Sequence, residues 1–376
     1  MPAQLVVEPL ATEDRVAPRR RRSWRPAALA AVVLTALVTG PALPQAVAAA
    51  PRGPVADAAA PPAAGTKGAG PWTFAVIGDI PYGAAEIASF PQAVAQINAD
   101  PEVRMVTHLG DIKNGSSVCS DDYFRAIKQD FDRFDDPFVY TIGDNEWTDC
   151  HRPNNGGYNP LERLAAVRSV FFPRPGRTLG RHAVAVCSQG AQGYPENVKY
   201  NRAGVDFAAV HIVGSNNSLA PWTGNTGPTP EQTAEVLGRT AAGIQLIRQT
   251  FSDARHRHDR AVVLMTQADM FDPTGTDPAF ADYFAFQPIV QAIVQESRAF
   301  HGPVYLFNGD SHLYNADRPL AAGSAWLKFY GITASADNLQ RITVDGSDNA
   351  HDYLRVTIQP RGTRVLDWQR IPFTNA

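Results

Sequence analysis

The sequence has little of several features that would reveal a function at once. It has only three cysteines among 376 residues, and their spacing does not suggest a zinc cluster. It lacks a strong excess of charge, since 34 lysines and arginines accompany 37 acidic residues. Nucleic acids and membrane surfaces held by bulk charge are therefore not expected as partners. The sequence also lacks an internal repeat, which argues against repeat architectures.

The first 48 residues have the pattern of a targeting segment. Basic residues 19–22 and Arg25 precede an apolar stretch at residues 28–38, and prolines follow it. A small-x-small triplet then predicts cleavage after Ala48 and export, by either the general or the twin-arginine route. The alternative is a membrane anchor, but the uninterrupted apolar run is well short of the about 20 residues that a span needs. No stable membrane span is expected after cleavage.

Residues 49–71 differ in composition from the rest of the chain. They are rich in Ala, Pro and Gly, contain almost no large apolar side chain, and predict a flexible linker. Residues 72–376 predict one folded domain. Its apolar, β-prone runs are mostly continuous, as in strands buried on both faces. They occupy residues 73–77, 104–109, 138–142, 207–213, 261–266 and 304–307.

Helical patterns lie between several of these strands and predict a layered α/β domain. They occupy residues 121–134, 160–172, 229–255 and 280–300. The third begins with a strong signal, because Thr229 can cap it, Pro230 suits its first position and Gln232 completes a capping box. Three later segments have the pattern of antiparallel strands, at residues 340–344, 353–359 and 363–368.

Polar clusters follow five of the strands. They are Gly78-Asp79, Gly110-Asp111, Gly143-Asp144-Asn145-Glu146, Gln267-Ala268-Asp269 and Gly309-Asp310-Ser311-His312. Open α/β sheets bind ligands beyond the carboxyl ends of their strands, and glycine lets the backbone turn sharply there. A single Gly-Asp pair is an ordinary turn, but five clusters in this order predict a shared site.

The order and spacing of these clusters resemble the calcineurin-like metallophosphoesterase superfamily. The resemblance covers about residues 72–370 and implies a β-sandwich flanked by helices. The residue identities depart from the family pattern at Pro81, Asp144, Asn145, Gln267 and Asp310, where the family has His, Asn, His, His and His.

The resemblance implies a divalent metal, as one ion or two. One ion would bind Asp79, Asp111 and His312, with Tyr82 nearby. The other would bind Asp111 together with Asp144, Gln267 and Asp310. Because oxygen has replaced nitrogen at several positions, Mg²⁺, Mn²⁺ or Ca²⁺ is favoured over Zn²⁺.

The implied reaction is metal-assisted hydrolysis of a small phosphomonoester or phosphodiester. Asn145 would orient the phosphate but cannot act as a general acid. His151 is the nearest imidazole in sequence that could protonate the leaving group, although it also suits a surface loop. Asn114, Ser215 and Asn216 are further candidates for substrate contact, and a capped turn explains Ser215 and Asn216 equally well. The loss of so many histidines leaves open a second class, a protein that binds metal or a phosphorylated ligand without catalysis.

The cysteines add one structural expectation. Cys119 and Cys150 each lie a few residues past a Gly-Asp motif, and those motifs are expected to be neighbours. Because disulfides persist outside the cytoplasm, we predict a bridge between the two. Cys187 would be left unpaired and buried.

Overall fold

The computed structural model describes residues 70–275 and 278–374. The predicted signal peptide, its cleavage site and most of the predicted linker lie outside these residues. The described residues all belong to one unit, Ala63–Ala376. None of the helices in this part of the chain is both long and apolar enough to cross a bilayer.

The first sheet has five strands. They are β1 (Trp72–Ile77), β2 (Val103–His108), β3 (Phe138–Tyr140), β11 (Asp352–Ile358) and β12 (Leu366–Pro372). Their order is β12-β11-β1-β2-β3, in which β1, β2 and β3 are parallel and the other two pair antiparallel. The three parallel strands therefore end at the same edge of the sheet.

The second sheet has seven strands. They are β4 (Cys187–Gln189), β5 (Tyr194–Arg202), β6 (Val205–Ala209), β7 (Ala261–Met265), β8 (Val304–Asn308), β9 (Asn315–Asp317) and β10 (Leu339–Thr343). Their order is β4-β5-β6-β7-β8-β10-β9, and the four strands β6, β7, β8 and β10 are parallel.

The two sheets pack face to face as a β-sandwich. The ring of Phe74 on β1 contacts Phe207 on β6 and Phe307 on β8 edge-on, at centroid distances of 5.3 and 6.0 Å. Helices cover the outer faces: α1 (Gly83–Ala99), α2 (Asp121–Phe131) and α3 (Pro160–Phe171) lie on the first sheet, and α5 (Pro230–Arg257), α6 (Gln287–Ala299) and α7 (Ala325–Phe329) on the second. The remaining helical segment, α4 (Gly214–Ser218), is a short turn after β6. The predicted α/β layering, two sheets flanked by helices, is confirmed.

Local signals account for some element boundaries and not for others. The capping box at the start of α5 is present, with Thr229 Oγ1 accepting from Gln232 N at 3.1 Å and Gln232 Oε1 accepting from Thr229 N at 3.1 Å. The helix predicted at residues 280–300 is instead two short 3₁₀ turns followed by α6, which has Pro288 in its first turn. The segment at residues 340–344 was predicted as an antiparallel strand, which is correct for its pairing with β9 and wrong for its pairing with β8. It is parallel to β8 because a helical connection separates the two.

The cysteines agree with expectation in one case and not in the other. Cys119 and Cys150 form a disulfide, as predicted. Cys187 is exposed, so the prediction that it is buried was wrong. It begins β4, which lies at the edge of the second sheet, and an edge strand leaves such positions open to solvent.

Replacing Cys119 and Cys150 by serine is expected to lower the free energy of unfolding by roughly 3 to 4 kcal/mol, since the bridge restricts the unfolded chain by closing a loop in it. The two residues are separated by 31 positions. Urea unfolding of the oxidised protein measures the change, and Cys187→Ser is the matched control because that side chain is exposed and unpaired. Equal midpoints for the double variant and the control would contradict the expectation.

Candidate metal centre

The carboxyl ends of the parallel strands of both sheets meet at one edge of the sandwich. Five side chains that follow these strands form two groups of potential metal ligands. The first contains Asp79, Asp111 and His312, and the second Asp111, Asp144 and Asp310. Within each group the ligand atoms lie within 4.8 Å of one another. Asp111 belongs to both, so it is placed to bridge two ions.

Several of these residues adopt a backbone conformation that side chains usually avoid. The φ angles of Asp79, Asp111, Asp310 and His312 are 53°, 55°, 73° and 58°. Each such residue is held in the left-handed region at a cost of about 1–3 kcal/mol, and strain of this kind clusters at functional sites. The strand ends therefore aim these side chains inward against their local backbone preference.

Two glycines leave room for the carboxylates. A Cβ at Gly143 would lie 2.0 Å from Asp111 Oδ1, and a Cβ at Gly309 would lie 2.0 Å from Asp79 Oδ2. Neither distance is compatible with a side chain. Gly143 and Gly309 thus leave space into which the carboxylates of Asp111 and Asp79 fit, and we call this arrangement a glycine cradle.

Gly143→Ala is expected to lower divalent-metal affinity roughly 10- to 100-fold, as outer-shell changes at metal sites do. The added methyl would also lie 2.4 Å from Asp111 N, so both the carboxylate and its backbone must shift. Calorimetric titration with Mn²⁺ measures the affinity. Gly70→Ala is the control, since nothing lies within 4 Å of its Cβ position. Equal affinity in both variants would show that Asp111 does not hold the ion.

Asp79 is the anchor of the first group. Its Oδ1 and Oδ2 accept hydrogen bonds from Asp310 N at 3.0 and 3.2 Å, and Oδ1 lies 3.4 Å from His312 Nε2. Burial raises the pKa of Asp79, which His312 partly offsets. Burial alone would lower the pKa of His312, but the hydrogen bond and charge of Asp79 outweigh it and raise that pKa.

Asp111 receives several donors in addition to its place in both groups. Its Oδ1 accepts from Asn145 N at 3.0 Å, and its Oδ2 accepts from Asn145 Nδ2 at 2.9 Å and from Gln267 Nε2 at 3.1 Å. The Tyr82 hydroxyl lies 3.3 Å from Asp111 Oδ2 and 3.4 Å from His312 Nε2. Tyr82 and Asn145 thus lie within the acidic centre, and their roles toward a substrate stay predictions.

The orientation of Gln267 bears on its predicted role as a ligand. Its Oε1 accepts from Gly214 N at 2.8 Å, and its Nε2 donates to Asp111 Oδ2 and to Asp144 Oδ1, the latter at 3.2 Å. An amide nitrogen does not bind metal ions, whereas an amide oxygen does. As placed, Gln267 bridges two carboxylates by donation, and metal binding through Oε1 would require that oxygen to leave Gly214. Its role as a ligand stays a prediction.

Asp144 connects the centre to a second layer of polar groups. The Ser215 hydroxyl donates to Asp144 Oδ2 at 2.8 Å and to Asp149 Oδ1 at 3.2 Å, and Asp149 Oδ2 forms an ion pair with Arg152 at 2.6 Å. Burial and the charge of Asp144 raise the pKa of Asp149 to about 7. Sequence reasoning missed Asp149 and Arg152, because neither directly follows a strand.

Glu146 holds the loops beneath the centre. Its Oε1 accepts from Ile112 N and Gly143 N, both at 3.2 Å, and from the Tyr140 hydroxyl at 2.7 Å. It thereby joins the loop after β2 to the loop after β3. Of the two acidic residues in the third motif, Glu146 therefore accepts hydrogen bonds from backbone N–H groups, while Asp144 faces the centre.

Three further residues that the sequence suggested, His151, Asn114 and Asn216, lie outside the two ligand groups. His151 Nδ1 accepts from Thr223 N at 2.9 Å and belongs to neither ligand group. Asn114 Oδ1 accepts from Ser116 N at 3.0 Å, as in a local turn. Asn216 Oδ1 accepts from Ala285 N at 3.0 Å. All three thus accept hydrogen bonds from the backbone, and their roles toward a substrate or leaving group stay predictions.

The electrostatics of the site favour a cation. Burial, followed by repulsion from Asp144, raises the pKa of both Asp111 and Asp310 well above the usual value. Buried carboxylates that repel one another need either protons or cations to neutralise them. The donors are carboxylate oxygens and one imidazole, which are ordinary ligands of divalent cations. The residues present therefore fit a divalent metal.

Comparison with known proteins gives similar structures only. No protein-family model matches the chain, and no curated protein matches it. Similar solved structures include GAP50, the anchor in the inner membrane complex of Plasmodium, at 7% identity, TM-score 0.38, and coverage of 81% of this chain and 89% of that one. NAD nucleotidase of Haemophilus influenzae is 12% identical, with a TM-score of 0.39 and coverage of 80% of this chain and 50% of that one. Purple acid phosphatase PPD1 of yellow lupin is 9% identical, with a TM-score of 0.39 and coverage of 80% of this chain and 54% of that one.

The chain thus spans about half the length of the two enzymes it resembles. At these TM-scores and identities the likeness carries no functional argument.

Proposed function

We propose that this chain is a divalent-metal-dependent phosphoesterase that hydrolyses a small phosphomonoester or phosphodiester. The observation that carries the proposal is the convergence of two ligand groups on one shared carboxylate, Asp111. Two cations that share a ligand can hold both the attacking and the leaving oxygen of a phosphoryl transfer. The strand-end motifs, which resemble those of calcineurin-like phosphoesterases, support the same function.

The ligands are assigned from the two groups. Asp79, Asp111 and His312 would hold one ion, and Asp111, Asp144 and Asp310 the other. When bound, the metal supplies positive charge against the phosphate and a more acidic water. The chain holds these carboxylates in place through glycine cradles and backbone donors, so the site is preorganised before substrate arrives.

The remaining groups of the site act on the phosphate and its leaving group. Asn145 Nδ2 donates to Asp111 Oδ2 at 2.9 Å and to the Tyr82 hydroxyl at 3.2 Å. We assign one of these N–H groups to a phosphate oxygen, a contact for which it would leave its present acceptor. Tyr82 and Ser215 add hydroxyl donors, and Arg152 adds a positive charge beside Asp149. Together these groups orient the ester for in-line attack.

Hydrolysis also needs a proton for the departing alcohol. A water oxygen bonds to phosphorus, the bond from phosphorus to the alcohol oxygen breaks, and that oxygen takes up a proton. We propose His151 as the donor in its imidazolium form, in which both ring nitrogens carry hydrogen, so that Nδ1 would have to release the hydrogen bond that it accepts from Thr223 N. Burial and the charge of Arg152 lower the pKa of His151, which disfavours that form. Asp149, with its pKa raised to about 7 by burial and Asp144, is a second candidate. Loss of the donor lowers the rate roughly 10²- to 10⁴-fold, least for activated aryl esters.

One observation favours a non-catalytic alternative. The amide groups of Asn145 and Gln267 already donate to Asp111, so donors satisfy part of its carboxylate without any metal. A chain in which these amides replaced the metal would keep the fold and bind a phosphorylated ligand without hydrolysing it.

Metal analysis and an ester assay decide between the two. The purified protein is analysed for bound metals and assayed with aryl phosphate monoesters and diesters in Mg²⁺, Mn²⁺, Ca²⁺ and Zn²⁺. We expect turnover that requires an added cation and is highest with Mg²⁺ or Mn²⁺. Bound metal without turnover on any ester would favour the binding protein. Absence of both metal binding and turnover would contradict the phosphoesterase and favour the binding protein in which amides replace the metal.

We further propose that the protein is exported and cleaved after Ala48. The disulfide supports this placement, because such bridges persist outside the cytoplasm. N-terminal sequencing of protein recovered from the medium or cell envelope is expected to begin at Ala49. Recovery in the cytosol with an intact N-terminus would contradict the proposal.

A further inference from the structure

A cavity of about 530 Å³ opens beside the acidic centre. Ser215 and Asp310 line it, so it shares a wall with the second ligand group. Its opposite wall includes Asp272, Asp282, Tyr283 and Phe284. Cavities of roughly 300–1,000 Å³ hold small organic ligands, and the place beside a phosphate site is where the rest of a phosphoester would lie.

The opposite wall is fastened to the site by one side chain. Asn216 Nδ2 donates to Ala281 O at 3.2 Å, and Asn216 Oδ1 accepts from Ala285 N at 3.0 Å. Both bonds cross from the turn after β6 to the segment before α6. The wall is therefore positioned relative to Ser215 by a defined pair of hydrogen bonds.

The cavity is acidic. Asp269, which also lines it, is paired with buried Arg341 at 2.5 Å. Asp272 and Asp282 form no ion pair with any residue in 70–275 or 278–374. None of the described lining residues is Lys, Arg or His. A second anionic group on the substrate would thus meet unneutralised carboxylates.

The cavity is also aromatic. Phe284 is 44% exposed, which is unusual for so large an apolar side chain. Tyr283 is half-buried and packs edge-on against Phe329 at a centroid distance of 5.7 Å, so its position is supported from behind. Burial, and then the carboxylates of Asp272, Asp310, Asp269 and Asp282, raises the pKa of Tyr283 to about 12.

We infer that this cavity binds the cationic, alkylammonium-bearing alcohol portion of the substrate. Aromatic faces beside unpaired carboxylates attract such cations through both ring and charge. The inference rests on the proposed function, since it names the ester that the centre would hydrolyse: the phosphate ester of an amino alcohol, either free or as a lipid headgroup. Neutral esters lack the charge, and esters with a second phosphate are repelled.

Calorimetric titration of the full protein with tetramethylammonium, in millimolar Mg²⁺, tests the cavity without any reaction. We expect saturable binding that Phe284→Ala and Asp272→Asn each weaken by roughly 10-fold. Asp122→Asn is the matched control, because it removes an equal charge from a side chain that is 92% exposed on α2. Binding that is absent, or equal in all these proteins, would overturn the inference.

Hydrolysis provides the second readout. Choline phosphate is compared with its uncharged carbon analogue, 3,3-dimethylbutyl phosphate, and with phosphatidylcholine vesicles, which separates a free ester from a lipid headgroup. We expect a higher kcat/KM for a cationic ester, with the preference reduced in Phe284→Ala. A preference for the neutral analogue or for a sugar phosphate would overturn the inference while leaving the phosphoesterase in place. Cation binding without hydrolysis of any ester would instead remove the proposed function and retain the cavity as a cation site.

Discussion

Asp111→Asn is expected to lower metal-dependent hydrolysis of aryl phosphates by about 10³-fold. Asp111 is the only residue common to the two ligand groups found in the described part of the chain, so the change removes a carboxylate from both. Metal ions contribute several kcal/mol to such reactions, and each 1.36 kcal/mol is a factor of about 10 in rate. The measurement is kcat/KM with saturating Mn²⁺, together with the metal content of the variant.

The variant must be shown to fold, because Asp111 also accepts hydrogen bonds from Asn145 and Gln267. Circular dichroism and the melting temperature provide that check, and Asp122→Asn supplies the same substitution on an exposed helix position. A folded Asp111→Asn protein with unchanged turnover would show that the acidic centre is not the catalytic site. Lost turnover with unchanged metal content would mean that Asp111 positions the site without holding the ion.

The metal-free protein is expected to melt at progressively lower temperature as the pH rises above 3.8, the ordinary pKa of an aspartate, and saturating Mg²⁺ is expected to remove this fall. In the folded chain, burial raises the pKa of Asp79, Asp111 and Asp310 above the ordinary value of 3.8. Above that value the unfolded carboxylates lose protons that the folded ones still hold. Stability is therefore complete at low pH and declines as the pH rises through the raised values.

The size of the effect is set by linkage. Each proton that the folded chain retains and the unfolded chain has lost contributes a slope of about 1.4 kcal/mol per pH unit. His312 acts in the same direction, because its pKa is raised as well. A divalent cation that binds only the folded protein replaces those protons and stabilises it by mass action.

Differential scanning fluorimetry in EDTA, with and without Mg²⁺ at constant ionic strength, measures both curves. Asp310→Asn is the informative variant, because it removes one of the raised carboxylates and should flatten the EDTA curve. An EDTA curve that is flat or rises with pH would show that hydrogen-bond donors such as Asn145 and Gln267 stabilise the ionised cluster without a cation.

The sequence alone predicts much of the centre because its information is local. A buried strand followed by Gly-Asp specifies a sharp turn and an acidic side chain, and the order of five such clusters predicts that Asp79, Asp111, Asp144 and Asp310 share a site. The Cys119–Cys150 bridge is predictable from the same adjacency. The capping box at Thr229 is likewise contained in a few neighbouring residues.

Other features depend on residues far apart in the chain. The orientation of the Gln267 amide is set by Gly214 N, 53 positions earlier. The exposure of Cys187 results from the edge position of β4, which no local pattern reveals. α1 escaped prediction although it spans 17 residues, and it carries Pro91 in its interior.

Adjacent positions in the chain are thus enough to specify which residues end the strands and the acidic chemistry that they bring. Folding in three dimensions was needed to make Asp111 common to two ligand groups, to direct amides toward it, and to open an acidic, aromatic cavity beside Asp310. Those features arise where two sheets and several loops meet, and distances across such a junction are set by packing of the whole core.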